Sequence, residues 1–169
     1  LHDWYEHQGW ATDFLHYGRP AERVAMSIPA NRRILLIHNV KATKEDIATI
    51  EQHFTNGVYW VLCPESNRFI SRTEPPVETL RNAGVKIAIG TDSLASARHL
   101  SMVENMRLLG DIPLDELLIW ATRNGAEALG LESSLGDIRV GTTPGIVVIE
   151  GADLQNMRVT DQTRSRRII

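Results

Sequence analysis

The chain has 169 residues, 43% apolar and 23% charged, with 18 basic and 21 acidic side chains and a net charge of −3. That composition supports one ordinary folded domain with room for a small appendage, and it excludes a disordered chain, which would be poorer in Val, Ile and Leu. The single cysteine, Cys63, excludes a disulfide framework. No apolar run nears the roughly 18–20 residues of a membrane span, and the slightly acidic balance gives no reason to expect a nucleic-acid surface.

In chain order, Asp3–Trp10 and Ala21–Ile28 predict two short helices, with Trp4, Tyr5 and Trp10 expected as packing residues. Three apolar runs follow: Ile34–Ile37, Val58–Leu62 and Val85–Ile89. Near-continuous apolar character, rather than strict alternation, is the pattern of parallel strands buried on both faces. Lys44–Phe54 predicts the helix between the first two, with Thr43 and Asp46 as a capping box and Gly57 as its stop. Pro76–Ala83, stopped at Gly84, predicts the next. The strand starts lie about 24–27 residues apart, the length of one βα crossover unit.

Leu100–Leu109 and Pro113–Arg123 predict two further helices, the second with Pro in its first turn, and Ala126–Leu129 a short segment closed by Gly130. From Gly136 the texture changes. Gly136–Gly141 and Ile146–Ile149 read as two short strands around a turn, outside the βα repeat. Arg158–Ile169, with Arg164, Arg166 and Arg167, reads as a solvated basic tail. The predicted organisation is thus an α/β unit over 1–135 and a β appendage with a basic C-terminus over 136–169.

Each predicted strand runs straight into polar residues: His38-Asn39, Cys63-Pro64-Glu65-Ser66-Asn67, and Gly90-Thr91-Asp92-Ser93. In a parallel sheet the carboxyl ends share one edge, where α/β folds place their sites, so these groups converge. Asp92 could hold a divalent ion and accept a proton from its bound water, and His38 could orient that water or polarise the substrate. Asn67, Ser66, Ser93 and Ser96 are candidates for hydrogen bonds to substrate. Taken alone, His38 also fits a buried histidine satisfied by a backbone carbonyl, and Asp92 the cap of the following turn. Cys63 reads as a packed thiol, and Glu104 as a tie for the loop after Asp92. His2, His7, His16, His53 and His99 read as surface or packing residues. No G-x-S-x-G elbow, G-x-G-x-x-G turn or Walker lysine is present, which sets aside a serine hydrolase and a phosphate-binding loop.

LLIHN, CPESN and IGTDSLAS, in this order and spacing, resemble the amidohydrolase superfamily of metal-dependent hydrolases, in its chlorohydrolase and deaminase-like branch. ATRNGAEALGL followed by GDIRVGTTPGIVVIE is similar to that branch's ending, where the chain leaves the barrel for a small β-sandwich. The resemblance implies the C-terminal part of a (β/α)8 TIM-like barrel, strands six to eight with their helices, plus a short β-sandwich tail. It implies Asp92 as metal ligand and general base, and His38 as the histidine after the sixth strand, in contact with substrate or water. Ser93 and Ser96 fall in the loop that lines the pocket in related hydrolases, and Asn67 in the seventh-strand motif.

The family's H-x-H pair is absent, since none of the six histidines has another two positions away, and no histidine is followed by Glu at the H-x-x-E spacing. One of the four usual metal ligands remains. The expectation is therefore a C-terminal fragment of a cytoplasmic hydrolase, cut between the fifth and sixth strands, which the start at Leu1 without Met fits. The parent would use zinc or iron to hydrolyse a C–N or C–Cl bond of a small-molecule substrate. This chain alone is expected to be inactive. The alternative is a catalytically inactive structural or assembly module derived from that fold. The uncovered edge of the first strand predicts a homo-oligomer, or pairing with the missing N-terminal half of the barrel.

Overall fold

The computed structural model describes residues 2–12 and 18–168, and its elements follow the βα rhythm of the sequence. Two short helices, α1 (His2–His7) and α2 (Pro20–Ser27), precede β1 (Ile34–Ile37), α3 (Lys44–His53) and β2 (Val58–Leu62). Then come α4 (Pro64–Ile70), α5 (Val77–Asn82), β3 (Ile87–Ile89), α6 (Met102–Leu108), α7 (Leu114–Ala121) and α8 (Arg123–Leu129). A hairpin of β4 (Val147–Glu150) and β5 (Arg164–Arg167) ends the chain. His16, and the side chain of His2, lie outside the described residues. Among the described residues no helix is long and apolar enough to cross a membrane.

The sheet is parallel in the order β1-β2-β3, with Leu36 level with Trp60 and Trp60 level with Ile87. Val58, Trp60 and Leu62 share one face of the central strand and are buried with Ile87 and Ile89 against Ile47, Ile50 and Phe54 of the α3 segment, Leu80, Met106, and Leu114, Leu117 and Trp120 of α7. The period-two pattern of the strand meets helix stripes there, and that face is the core. The predicted capping box forms: Asp46 N–H donates to Thr43 Oγ1 at 3.3 Å, and Thr43 N–H to Asp46 Oδ2 at 2.9 Å. Arg19, just before α2, reaches the same carboxylate at 2.8 Å and ties α2 to α3.

Several expectations are corrected. β1 is not buried on both faces: Leu35 and Ile37 are 37% and 52% exposed, because β1 is the edge strand and no described element covers the face they occupy. Trp4, Tyr5 and Trp10 stack edge to face on one another, outside the core, and Trp4 and Trp10 are half exposed. The helix predicted over Pro113–Arg123 breaks at Thr122, and Pro113 is its N-cap residue. Gly136–Gly141 forms no strand; its turns are held by Asp137 pairing with Arg123 at 2.9 Å. The partner of β4 comes instead from the segment read as a solvated tail. β5 pairs antiparallel with β4, with Val147 level with Arg167. Its four side chains are exposed as expected, but its backbone is fixed. Arg107 of α6 donates to the carbonyls of Thr160 and Thr163 at 3.0 and 2.9 Å and anchors the hairpin to the α/β unit.

Candidate active site

The carboxyl ends of β1, β2 and β3 lie together because all three strands are parallel. Directly after β1, His38 and Asn39 adopt left-handed backbone with φ of 71° and 46°, and after β3 Asp92 does so at 57°. Such conformations are costly for residues other than glycine and concentrate at functional positions. His38 N–H still donates to Val61 O at 3.0 Å, so the strand pairing carries on to the point where the chain turns.

After β2 the chain enters α4, a helix the apolar pattern did not reveal, although Pro64 in its first turn is a helix-start signal. That first turn presents two consecutive, fully buried polar residues to the other two strand ends. Ser66 Oγ donates to Asp92 Oδ2 at 2.6 Å, and Asn67 Oδ1 lies 2.8 Å from His38 Nδ1. Ser96 Oγ, from the loop after β3, donates to the same Asp92 oxygen at 2.8 Å. Nε2 of His38 stands 3.8 Å from Asp92 Oδ2, and both side chains remain about one-third exposed. The Ser66 and Ser96 hydroxyls, with lesser help from His38, hold the Asp92 carboxyl below the usual aspartate range. The result is a firmly ionised carboxylate beside an imidazole at an open edge.

Of the residues expected at substrate, Ser66, Ser96 and Asn67 thus turn to Asp92 and His38, while Ser93 faces solvent and accepts from Ala95 N–H at 3.3 Å. His38 is held by a side-chain amide rather than by a backbone carbonyl. Cys63 is buried, and burial, then the Asp92 charge, pushes its thiol up to about 11, which leaves it inert. Gly90 permits the close approach of β2 and β3 here: a Cβ on it would meet Cys63 Sγ at 3.2 Å and Val61 Cγ1 at 3.3 Å.

The tie for the loop after Asp92 is Glu65, not Glu104. Glu65 Oε1 accepts from Arg98 N–H at 2.8 Å, and Glu65 N–H is itself held by the buried Asn105 Oδ1 at 3.2 Å. Glu104 pairs with Arg107 on its own helix. Glu65 sits inside the CPESN segment and was readable there as a polar residue at a strand end, whereas Asn105, in mid-helix, carried no signal.

No three His, Cys, Asp or Glu side chains come together among the described residues in a way that could hold a metal ion. His38 and Asp92 supply two donors, and zinc takes three or four from protein, so this donor set does not complete a zinc site.

The comparisons with known proteins agree with this architecture. The 5-methylthioadenosine/S-adenosylhomocysteine deaminase of Moorella thermoacetica is 34% identical over 128 residues, which is 69% of this chain and 29% of that protein. The solved structure of an adenosine deaminase from Xanthomonas campestris with bound zinc superposes with a TM-score of 0.71 at 30% identity, covering 80% of this chain and 33% of the other. A zinc-complexed atrazine chlorohydrolase from Arthrobacter aurescens shares the fold, with a TM-score of 0.71 at 22% identity over 86% of this chain and 36% of its own. The chain therefore spans about a third of the length of the proteins it matches. The amidohydrolase family pattern itself matches residues 16–169, nearly the whole sequence. The chain belongs to the amidohydrolase family.

Proposed function

We propose that this chain supplies the Asp92–His38 part of a hydrolytic deaminase centre acting on an amino-substituted heterocycle, with an aminopurine nucleoside as the substrate class. The observation that carries it is the ionised Asp92 carboxylate, fixed by two serine hydroxyls, 3.8 Å from the imidazole of His38. Relatives that are deaminases by name support the reaction class. In the reaction, water adds to the ring carbon that bears the amino group, and the C–N bond then breaks to release ammonia. Asp92 accepts the proton that water gives up and returns it to the leaving nitrogen. His38 orients the attacking oxygen through Nε2. Ser66, Ser96 and Asn67 hold these two groups in place, and Ser93, exposed at the rim, is left to meet substrate.

In this reading β1, β2 and β3 are strands six to eight of a (β/α)8 barrel of which residues 1–135 form only a part, and 136–169 are a β-sandwich tail and basic C-terminus. Asp92 is the one ligand this chain contributes to a divalent ion, zinc or iron, and the other donors come from residues outside it. A second reading, an inactive assembly module, is favoured by one observation: among the described residues no three metal-ligating side chains come together.

The test is ammonia release from 5-methylthioadenosine and adenosine by the chain within a complete barrel. Asp92→Asn is expected to lower kcat by about 10²–10⁴-fold, the range of a lost general base. Undiminished turnover in that variant would overturn the assignment. No turnover in the unaltered protein would favour the assembly module.

A further inference from the structure

We propose that Asn67 is a positioning residue that holds His38 as the Nδ1-protonated tautomer, so that Nε2 turns a lone pair to the gap in front of Asp92. The inference deepens the deaminase reading and rests on its placing of His38 at the reacting edge.

Asn67 is 1% exposed, and its place is fixed on both sides: its N–H donates to Cys63 O at 2.9 Å, and its own carbonyl accepts from Ser71 N–H at 2.9 Å. One residue earlier, Ser66 holds Asp92, so a single turn of α4 sets both members of the pair. An amide oxygen has no proton to give. With Oδ1 of Asn67 at 2.8 Å, the proton of the neutral ring therefore sits on Nδ1. Nε2 and the Asp92 carboxylate, 3.8 Å apart, then face one gap as two acceptors. Two acceptors across such a gap take a donor between them, and water is the donor the reaction needs. With the amide turned end for end, the ring would carry its proton on Nε2 and would meet the gap in front of Asp92 as a donor rather than as an acceptor. Nδ2 of Asn67 is buried with no hydrogen-bond partner, so the contact with His38 is what sets the direction of the amide, and the ring tautomer reports that direction.

The tautomer is read directly from long-range ¹⁵N–¹H correlations of the labelled 169-residue chain in mildly alkaline buffer, without substrate. The expected result is one His38 ring with Nδ1 protonated and Nε2 unprotonated. In Asn67→Leu the two ring nitrogens are expected to shift towards a common averaged value, while Asn67→Asp keeps the proton on Nδ1. A proton on Nε2 in the unaltered chain overturns the proposal, as does an unchanged ring pattern in Asn67→Leu. If the leucine variant fails to fold, the unaltered chain and Asn67→Asp still decide it, because loss of Nδ1 protonation in either overturns it. These outcomes do not depend on turnover, so the proposal can fail while the deaminase reading stands, and the reverse.

Discussion

His38 Nε2 and Asp92 Oδ2 stand 3.8 Å apart, too far for a hydrogen bond between them and near enough to share one water. Each is held from behind by a consecutive residue of α4, Asn67 for the imidazole and Ser66 for the carboxylate. The pair is thus poised by a third element, which through Glu65 also ties the loop after Asp92. Its two halves can be loosened separately.

Removing the serine hydroxyls tests the carboxylate half. In Ser66→Ala and Ser96→Ala the Asp92 pKa is expected to rise, because each hydroxyl bonds to the charged form. The folded-state pKa is depressed, so the stabilisation it brings is present above the ordinary aspartate value near 3.9 and is lost as pH falls through the lower folded value. Both variants should therefore unfold at higher pH on the acid side than the unaltered chain. A carboxyl ¹³C titration checks the shift, and an unchanged Asp92 curve would count against the hydroxyls as its cause.

Zinc added to this chain alone is expected to leave its Tm unchanged. Two donors bind the ion weakly, and ligand-linked stabilisation grows only with the ratio of free ligand to Kd. Thermal unfolding with zinc and with a chelator checks this. A rise on zinc addition that disappears in Asp92→Ala would reveal a third ligand.

Thr43→Ala should cost about 1 kcal/mol of stability in denaturant unfolding, the usual cost of losing a helix N-cap. Leu117→Ala should cost roughly 2–5 kcal/mol, because Leu117 is fully buried in the core and the variant leaves a cavity. Equal losses in the two would mean that the helix-packed face is not the main core.

Leu35 and Ile37, exposed on the edge strand, are expected to drive self-association. Ile37→Lys should lower the fraction of dimer or larger species in sedimentation velocity at high concentration. A chain that is monodisperse and monomeric before the substitution would sink this expectation.

What the sequence disclosed was local. The capping box of α3 depends on Thr43 and Asp46, three residues apart, and the three strands on short β-branched runs. The convergence of His38, Asn67 and Asp92 on one edge followed from parallel strands alone. β5 was hidden because Arg-Ser-Arg-Arg has no apolar alternation and gains its structure only by pairing with β4 across the hairpin loop. The tie to the loop after Asp92 was misassigned for a similar reason. Glu65 and Glu104 are both acids near that loop, and only the path of the backbone places Arg98 N–H against Glu65. No one-dimensional pattern tells that Ser66, in α4, and Ser96, in the loop after β3, aim at one carboxylate oxygen.

The order β1-β2-β3 makes every strand the neighbour of the one before it. Each pairing closes one short βα crossover, at a loop-closure cost that grows only slowly with length. The sheet can thus be laid down one unit at a time as the polypeptide emerges, with each new strand finding a template already in place. In that sequence of events the His38–Asp92 pair is a late product, since His38 waits for Asp92 until β3 has joined. Among the described residues the outer side of β1 pairs with no other strand, so the sheet stays open on that side.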